Sequence, residues 1–246
     1  MGLAGAIGAG DAAELLSWQG CYLAGGLGLA LLVLRLGVIE SGLYERLARD
    51  GGPRGNPLRL LWPPRRLARF VGIVLCASPI WFVVGVLFIF APEPGRAMGI
   101  AEPILAGRAI AFAFAYVGVV VGDVASGGLS QLLRSRRRAL LAFIAFLAAA
   151  LGMILVVGLA TGYWAVFVTT ASELFGTNLR ATVAVSAPNV VRALAAPITS
   201  IWFIMKPGMG WLAATRALGL AICGLAALCA LGLPETFGRD LDYRET

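Results

Sequence analysis

Long apolar runs, separated by short basic connections, set the pattern of this chain. A membrane span takes about 20 apolar residues, at about 1.5 Å of rise each, to cross about 30 Å of hydrocarbon. Seven runs meet that length: 15–38, 67–91, 104–129, 138–158, 160–178, 182–205 and 211–233. The stretch 138–178 is too long for one crossing, and Gly158 with Thr161–Gly162 offers a tight turn that divides it in two. The opening "MGLAGAIGAG" is too short to span and reads as the tail of a preceding helix. The fold expected is all-α: a polytopic membrane helical bundle of about seven transmembrane helices, because irregular backbone cannot face lipid.

The connection 39–66 is the one sizeable loop. Its "ESGLYERLARD" puts Leu43, Tyr44 and Leu47 on one face of a short amphipathic helix, which Gly51–Gly52, Pro53 and Pro57 then break. A helix lying on the inner leaflet and a solvated basic linker both fit it. In the third run Gly118, Gly122, Ser126 and Ser130 recur every four residues, a ridge of small side chains that permits close helix contact. Runs four and seven are nearly devoid of polar side chains and read as lipid-facing support. Runs two, five and six carry the aromatics and polar groups and are the candidates for lining a pathway.

Composition sharpens this picture. Of 246 residues 59% are hydrophobic and only 13% charged, about half the charge of a typical soluble domain. The net charge of +7 falls in the connections, so it reports topology and no nucleic-acid partner. Arg46, Arg49, Arg54, Arg59, Arg65, Arg66 and Arg69 follow run one, Arg134, Arg136, Arg137 and Arg138 follow run three, Arg180 follows run five, and Arg239 and Arg244 lie in the tail. These connections alternate, which puts the C-terminus in the cytoplasm and the N-terminus outside. "MGLAGAIGAGDAAE" lacks the basic start of a signal peptide. Cys21, Cys76, Cys223 and Cys229 sit inside apolar runs as small buried hydrophobes. With no histidine, no acidic cluster at the midplane and no nucleophile–base pair, neither an enzyme nor a metal or other cofactor is expected.

Charge inside or beside the membrane must be paired or wetted. Glu173 and Arg180 bracket the turn between runs five and six, on the same side as the Arg134–Arg138 cluster, Glu235 and Asp240. Together they suit a network of charge-assisted hydrogen bonds between helix ends.

These residues also carry a family resemblance. "ELFGTNLR" is similar to the Glu-x(6)-Arg pattern that follows the tenth helix of major facilitator superfamily transporters. "LPETFG" (233–238) is similar to the Pro-Glu-Thr-x-Gly signature after the twelfth. "GDVASGGLSQLLRSRRR" (122–138) resembles a divergent loop between the eighth and ninth, normally Gly-x-Leu-x-Asp-x-x-Gly-Arg-Arg. Gly127 and Leu129 match, Gln131 stands for the aspartate and Arg134 for the second glycine. "IESG" (39–42) is similar to the Pro-Glu-Ser-Pro-Arg signature after the sixth. The chain thus resembles the C-terminal half of a sugar-porter-like member.

The resemblance implies that the seven runs are helices six to twelve. It implies a remnant of the N-terminal half at 1–38, a cytoplasmic inter-half loop at 39–66 and a six-helix half at 67–246. It further implies secondary transport by alternating access, with substrate between two halves. Helices one to five are then supplied upstream or by a partner half. The alternative is a non-transporting truncated module or half-transporter subunit. From the family, a cytoplasmic gate is expected of Glu173, Arg180, Glu235, Arg134, Arg136 and Arg137, with Asp123 a stand-in for the missing acid.

Arg192 lies twelve residues past Arg180, about 18 Å along a helix and near the midplane. Ser186, Asn189 and Arg192 share one broad face with Thr199 and Ser200, and Pro188 and Pro197 loosen that helix. Two readings stand: Arg192 touches an anionic substrate group or takes part in ion coupling, or it pairs with a carboxylate. Tyr163, Phe167 and Thr170 step down run five toward Glu173, with Trp164 on another face, and Ser78 and Trp81 flank Pro79 in run two. Run two lacks the glutamines and asparagines of a sugar site, which favours an organic anion or other small metabolite as substrate. The expected setting is a lipid bilayer, the plasma (inner) membrane.

Overall fold

The computed structural model describes residues 60, 62–90, 93, 108–151, 154–240 and 243. Run one, "IESG", the amphipathic "ESGLYERLARD" and most of the loop around it lie outside those residues.

The described residues are helical, with no strand among them. In chain order the helices are α1 (Pro64–Cys76), α2 (Ser78–Phe82), a π-helix (Val83–Phe88), α3 (Arg108–Leu132), α4 (Arg136–Ala150), α5 (Ile154–Ala160), α6 (Trp164–Glu173), α7 (Thr177–Ala193), α8 (Ala195–Met209) and α9 (Trp211–Gly232). Two stretches are long and apolar enough to cross a membrane: Thr177–Met209, which is α7 and α8 taken together, and α9. A third is α1 with the stretch Ser78–Phe88, if that pair, bent by 41°, counts as one. Large apolar side chains cover the outside of the bundle, among them Leu220, Leu225, Leu228 and Leu231 of α9 and Ile201 and Ile204 of α8.

The bend between α1 and α2 has a chemical cause and a chemical repair. Pro79 has no N–H, so the carbonyl of Leu75 loses its helical donor. The Ser78 hydroxyl donates to it instead, at 2.7 Å. Ile80 N reaches only as far back as Ala77 O (3.2 Å), which frees the carbonyl of Cys76. The Tyr163 hydroxyl, wholly buried, donates to that one at 3.2 Å. One turn on, Ile89 N bonds Val84 O and Phe90 N bonds Val86 O, so the π-helix passes over Gly85 O. Thr199 of α8 donates to it at 3.3 Å.

The small-residue ridge of α3 packs against backbone. A Cβ on Gly122 would lie 2.2 Å from Leu159 O, and one on Gly118 2.9 Å from Leu159 N. The partner stretch is equally bare, for a Cβ on Gly162 would lie 2.2 Å from Gly122 Cα. Glycine is required here because only hydrogen fits.

The sequence pattern predicts one turn within 138–178, at Gly158–Gly162. Two breaks are found: α4 ends at Leu151, and Thr161–Tyr163 separates α5 from α6. α7 and α8 run on through a hitch at Leu194, where Leu194 N bonds both Val190 O (3.2 Å) and Val191 O (3.1 Å). Pro197 explains it, since its missing N–H leaves Ala193 O without a helical donor. Cys76 and Cys223 are buried and Cys229 half-buried, all three unbridged.

Candidate functional site

Two clusters of polar side chains stand out, one at the helix ends around Glu173 and one at the last turn of α7, midway along the α7–α8 stretch.

At the first, Glu173 is the last residue of α6. Its carboxylate meets Arg136 edge on: Arg136 Nη2 donates to Oε1 at 3.1 Å and Nε to Oε2 at 3.3 Å. Thr236 Oγ1 donates to the same Oε2 at 2.7 Å. Both ionic side chains are largely buried, 14% and 13% exposed, so water screens the pair little. Arg136 is further fixed by a bond from Nη1 to Ser130 Oγ (3.0 Å) and by the Phe237 ring 5.3 Å below its guanidinium.

Arg136 points inward because of how α3 ends. Arg134 adopts a positive φ of 46°. Ser135 N closes back onto Ser130 O (3.3 Å) and Arg134 N onto Gln131 O (3.2 Å), the Schellman arrangement. Ser135 then caps α4, accepting from Arg138 N at 3.1 Å. Glu235 covers the same helix start. It accepts from Arg136 N at 2.8 Å and Arg137 N at 3.4 Å, from its own chain at Thr236 N and Phe237 N (3.0 Å each), and from the Ser135 hydroxyl. A carboxylate at a helix N-terminus gains from both free N–H groups and the helix dipole. Partial burial works against the Glu235 charge, but the bonds from Ser135 and the backbone of Phe237, Arg136 and Thr236 outweigh it and lower its pKa.

The turn after Glu173 is held from two more directions. Arg69 of α1 donates from Nη1 to Leu174 O (2.9 Å) with its guanidinium 5.2 Å from the Phe175 ring. Arg180 of α7 donates from Nε to Ser172 O (3.2 Å). Thr177 N bonds Tyr243 O at 2.8 Å, tying the tail to the start of α7. The cluster therefore joins α1, α3, α4, α6, α7 and the segment after α9.

Of the expected gate residues, Glu173, Arg136 and Glu235 are brought together directly. Arg137 adds only its backbone N–H, Arg180 flanks the turn, and Arg134 is the exposed corner. Asp123 is not brought to Glu173. Its Oδ1 accepts from Ala165 N (3.0 Å) near the opposite end of α6, about 12 Å away along that helix. Sequence reading missed Ser130, Ser135, Thr236, Phe237 and Arg69.

At the second cluster Arg192 is exposed. Its guanidinium carbon lies 5.9 Å from the ring centre of Trp81 and 5.7 Å from that of Trp164, a two-ring cation–π contact. The indoles meet edge to face at 6.4 Å, and Phe167 backs Trp164 at 5.1 Å. Nη1 donates to Asn189 Oδ1 at 3.0 Å. Trp81 Nε1 and Ser186 Oγ are buried without a hydrogen-bond partner. The cluster joins Trp81, Asn189 and Arg192 of the expected pathway residues and adds Trp164. Ser78 and Tyr163 serve the α1–α2 bend, Thr170 Oγ1 bonds Val166 O within its own helix (2.7 Å), and Phe167 is wholly buried. Among the described residues no group of histidine, cysteine or carboxylate side chains could hold a metal.

At the other end of α8, Lys206 pairs with Glu93 at 2.5 Å and lies 4.9 Å from the Trp202 ring. No family model, curated protein or solved structure matches this chain.

Proposed function

We propose that these helices belong to a multi-pass integral membrane transporter organised like the major facilitator superfamily, and correspond to its C-terminal six-helix half. It moves a small metabolite by alternating access. The C-terminal tail faces the cytoplasm and the Lys206 end faces outside, in the plasma (inner) membrane. Substrate binds between this half and an N-terminal half.

The observation that carries this reading is the position of Glu173. One carboxylate holds the start of α4 through Arg136 and the segment after α9 through Thr236. Both lie on the side that the arginine pattern assigns to the cytosol. A helix-end clasp made of charge-assisted bonds is a device with two states, made or broken. The apolar outer surface and the candidate spans support the membrane setting.

The test is site-directed labelling with exchange. Cysteines replacing Arg239 and Gly208, both exposed, are probed in intact cells with an impermeant maleimide. Gly208→Cys is expected to label from outside and Arg239→Cys only after permeabilisation. In nanodiscs, Glu173→Gln is expected to speed amide exchange in 172–180 and 234–238 while leaving 206–210 unchanged. Outside labelling at 239, or exchange indifferent to Glu173, would overturn the reading.

A further inference from the structure

We propose that Arg192, Trp81 and Trp164, with the groove beginning one turn away, bind an organic monocarboxylate that has a flat aromatic body. This rests on the transporter reading for its setting and names the substrate class.

The charge of the ligand follows from the donors. The Arg192 guanidinium lies within cation–π range of two indoles and gives Nη1 to Asn189, and among the described residues its Nε and Nη2 have no hydrogen-bond partner. That edge matches a planar carboxylate. Trp81 Nε1 adds a buried N–H that lacks an acceptor, and indole N–H can only donate. The Asn189 oxygen is occupied by Arg192 itself. Among the described residues the cluster holds one cation and no carboxylate contact, so it suits a single negative charge. A neutral polyol would leave the guanidinium charge unmatched.

The body of the ligand follows from the groove. A cavity of about 350 Å³ is lined by Gly85, Ile89, Phe90, Ala195, Ala196 and Phe203, with Thr199 and Ser200. Gly85 is four residues past Trp81, and Ala195 and Ala196 are three and four past Arg192. Residues at those spacings neighbour one another on a helix face, so the lining of the cavity begins one turn past Trp81 and Arg192 along both helices. Its two hydroxyls are already spent: Thr199 donates to Gly85 O and Ser200 to Ala196 O (3.0 Å). What remains is apolar, with aromatic edges at Phe90 and Phe203, 5.1 Å apart and at 86°. The π-helix forms one wall, and such bulges recur at functional sites. A cation one helical turn before an apolar slot suits a ligand with a carboxylate head and a ring behind it.

The test is calorimetric titration of the full chain in detergent micelles with benzoate, benzamide and acetate. Benzoate is expected to bind saturably, with benzamide (ring without charge) and acetate (charge without ring) each at least about tenfold weaker. Arg192→Gln should weaken benzoate at least about tenfold, and Arg192→Lys, which keeps charge but loses the fork, by about fivefold. Ala196→Leu should fill the slot and weaken benzoate while leaving acetate unchanged. Circular dichroism confirms that each variant is folded. No saturable benzoate binding by the folded wild-type chain overturns the proposal, as does binding equal in Arg192→Gln. A carboxylate side chain already seated on Arg192 would give the first of these results. The transporter reading fails separately: benzoate bound through Arg192 in a protein whose residue 239 is labelled from outside leaves the site standing and removes that reading.

Discussion

Arg136 and Glu173 meet through two parallel hydrogen bonds, Nη2 to Oε1 at 3.1 Å and Nε to Oε2 at 3.3 Å. The fork engages both oxygens, and Thr236 adds a third bond to one of them. Breaking a pair this sheltered strands the remaining charge. Glu173→Gln and Arg136→Gln are each expected to cost about 1–3 kcal/mol in detergent-solubilised protein. In a double-mutant cycle the two losses should fall short of additivity by about 0.5–3 kcal/mol. Additive losses in thermal unfolding would mean that the pair is not coupled.

Tyr163→Phe removes one oxygen from the core. The Cys76 carbonyl, freed by the proline bend, then has no donor in place of Tyr163. An unsatisfied buried carbonyl costs about 1–3 kcal/mol. The companion Ser78→Ala should act on the same bend through Leu75 O, and both are read as a fall in Tm. Tyr163→Phe at wild-type stability would show that the carbonyl finds another partner.

The ridge of α3 distinguishes two kinds of glycine. Gly122→Ala drives a methyl to 2.2 Å from Leu159 O, whereas Cβ atoms at Gly127 and Gly128 meet nothing within 4 Å. The first substitution is expected to destabilise by about 3 kcal/mol or more. The other two should be neutral or gain about 0.5–1 kcal/mol from helix propensity. Expression level and Tm in detergent separate them.

Arg134→Gly tests the corner between α3 and α4. A φ of 46° costs a side-chain-bearing residue about 1–2 kcal/mol that glycine escapes. The expected result is a rise in Tm equivalent to about 1 kcal/mol, net of the glycine's greater freedom when unfolded.

Acid should loosen the clasp through Glu235. Its pKa is lowered on folding, so the charged form stabilises the native state. That contribution is complete above the unfolded pKa of about 4.3 and disappears as pH falls through the lower folded value. Stability measured from pH 6 downward should therefore drop below about pH 4. Glu235→Gln should flatten that part of the profile while lowering stability at pH 6.

The clasp was legible in sequence to the extent that charge placement determines it. Glu173 had to find a cation at the helix ends and the Arg134–Arg138 cluster was the nearest supply, whereas Glu235 took the backbone N–H groups at the start of that same helix. Which arginine turns inward was not legible, because it depends on the left-handed backbone at Arg134, a position where a helix period says nothing. The pathway face was less legible. The spacing predicts Tyr163, Phe167 and Thr170 on one helical stripe, yet Tyr163 precedes α6 in non-helical backbone (φ −108°, ψ 16°). The break at Thr161–Tyr163 resets the phase, and Trp164 is the residue that reaches Arg192. Ser78 and Tyr163 have hydroxyls that suit a substrate, but Pro79 frees carbonyls nearby and those carbonyls take them.

The stretch from Thr177 to Met209 is 33 residues, about 50 Å from end to end. Arg180 sits near one tip, Lys206 near the other, and Arg192 between them. A rod gripped at both tips and rocked about its middle swings those tips in opposite senses while its waist scarcely travels. In the transport cycle proposed above, the guanidinium of Arg192 takes the fulcrum, so cargo held there exchanges one compartment for the other without itself being carried far.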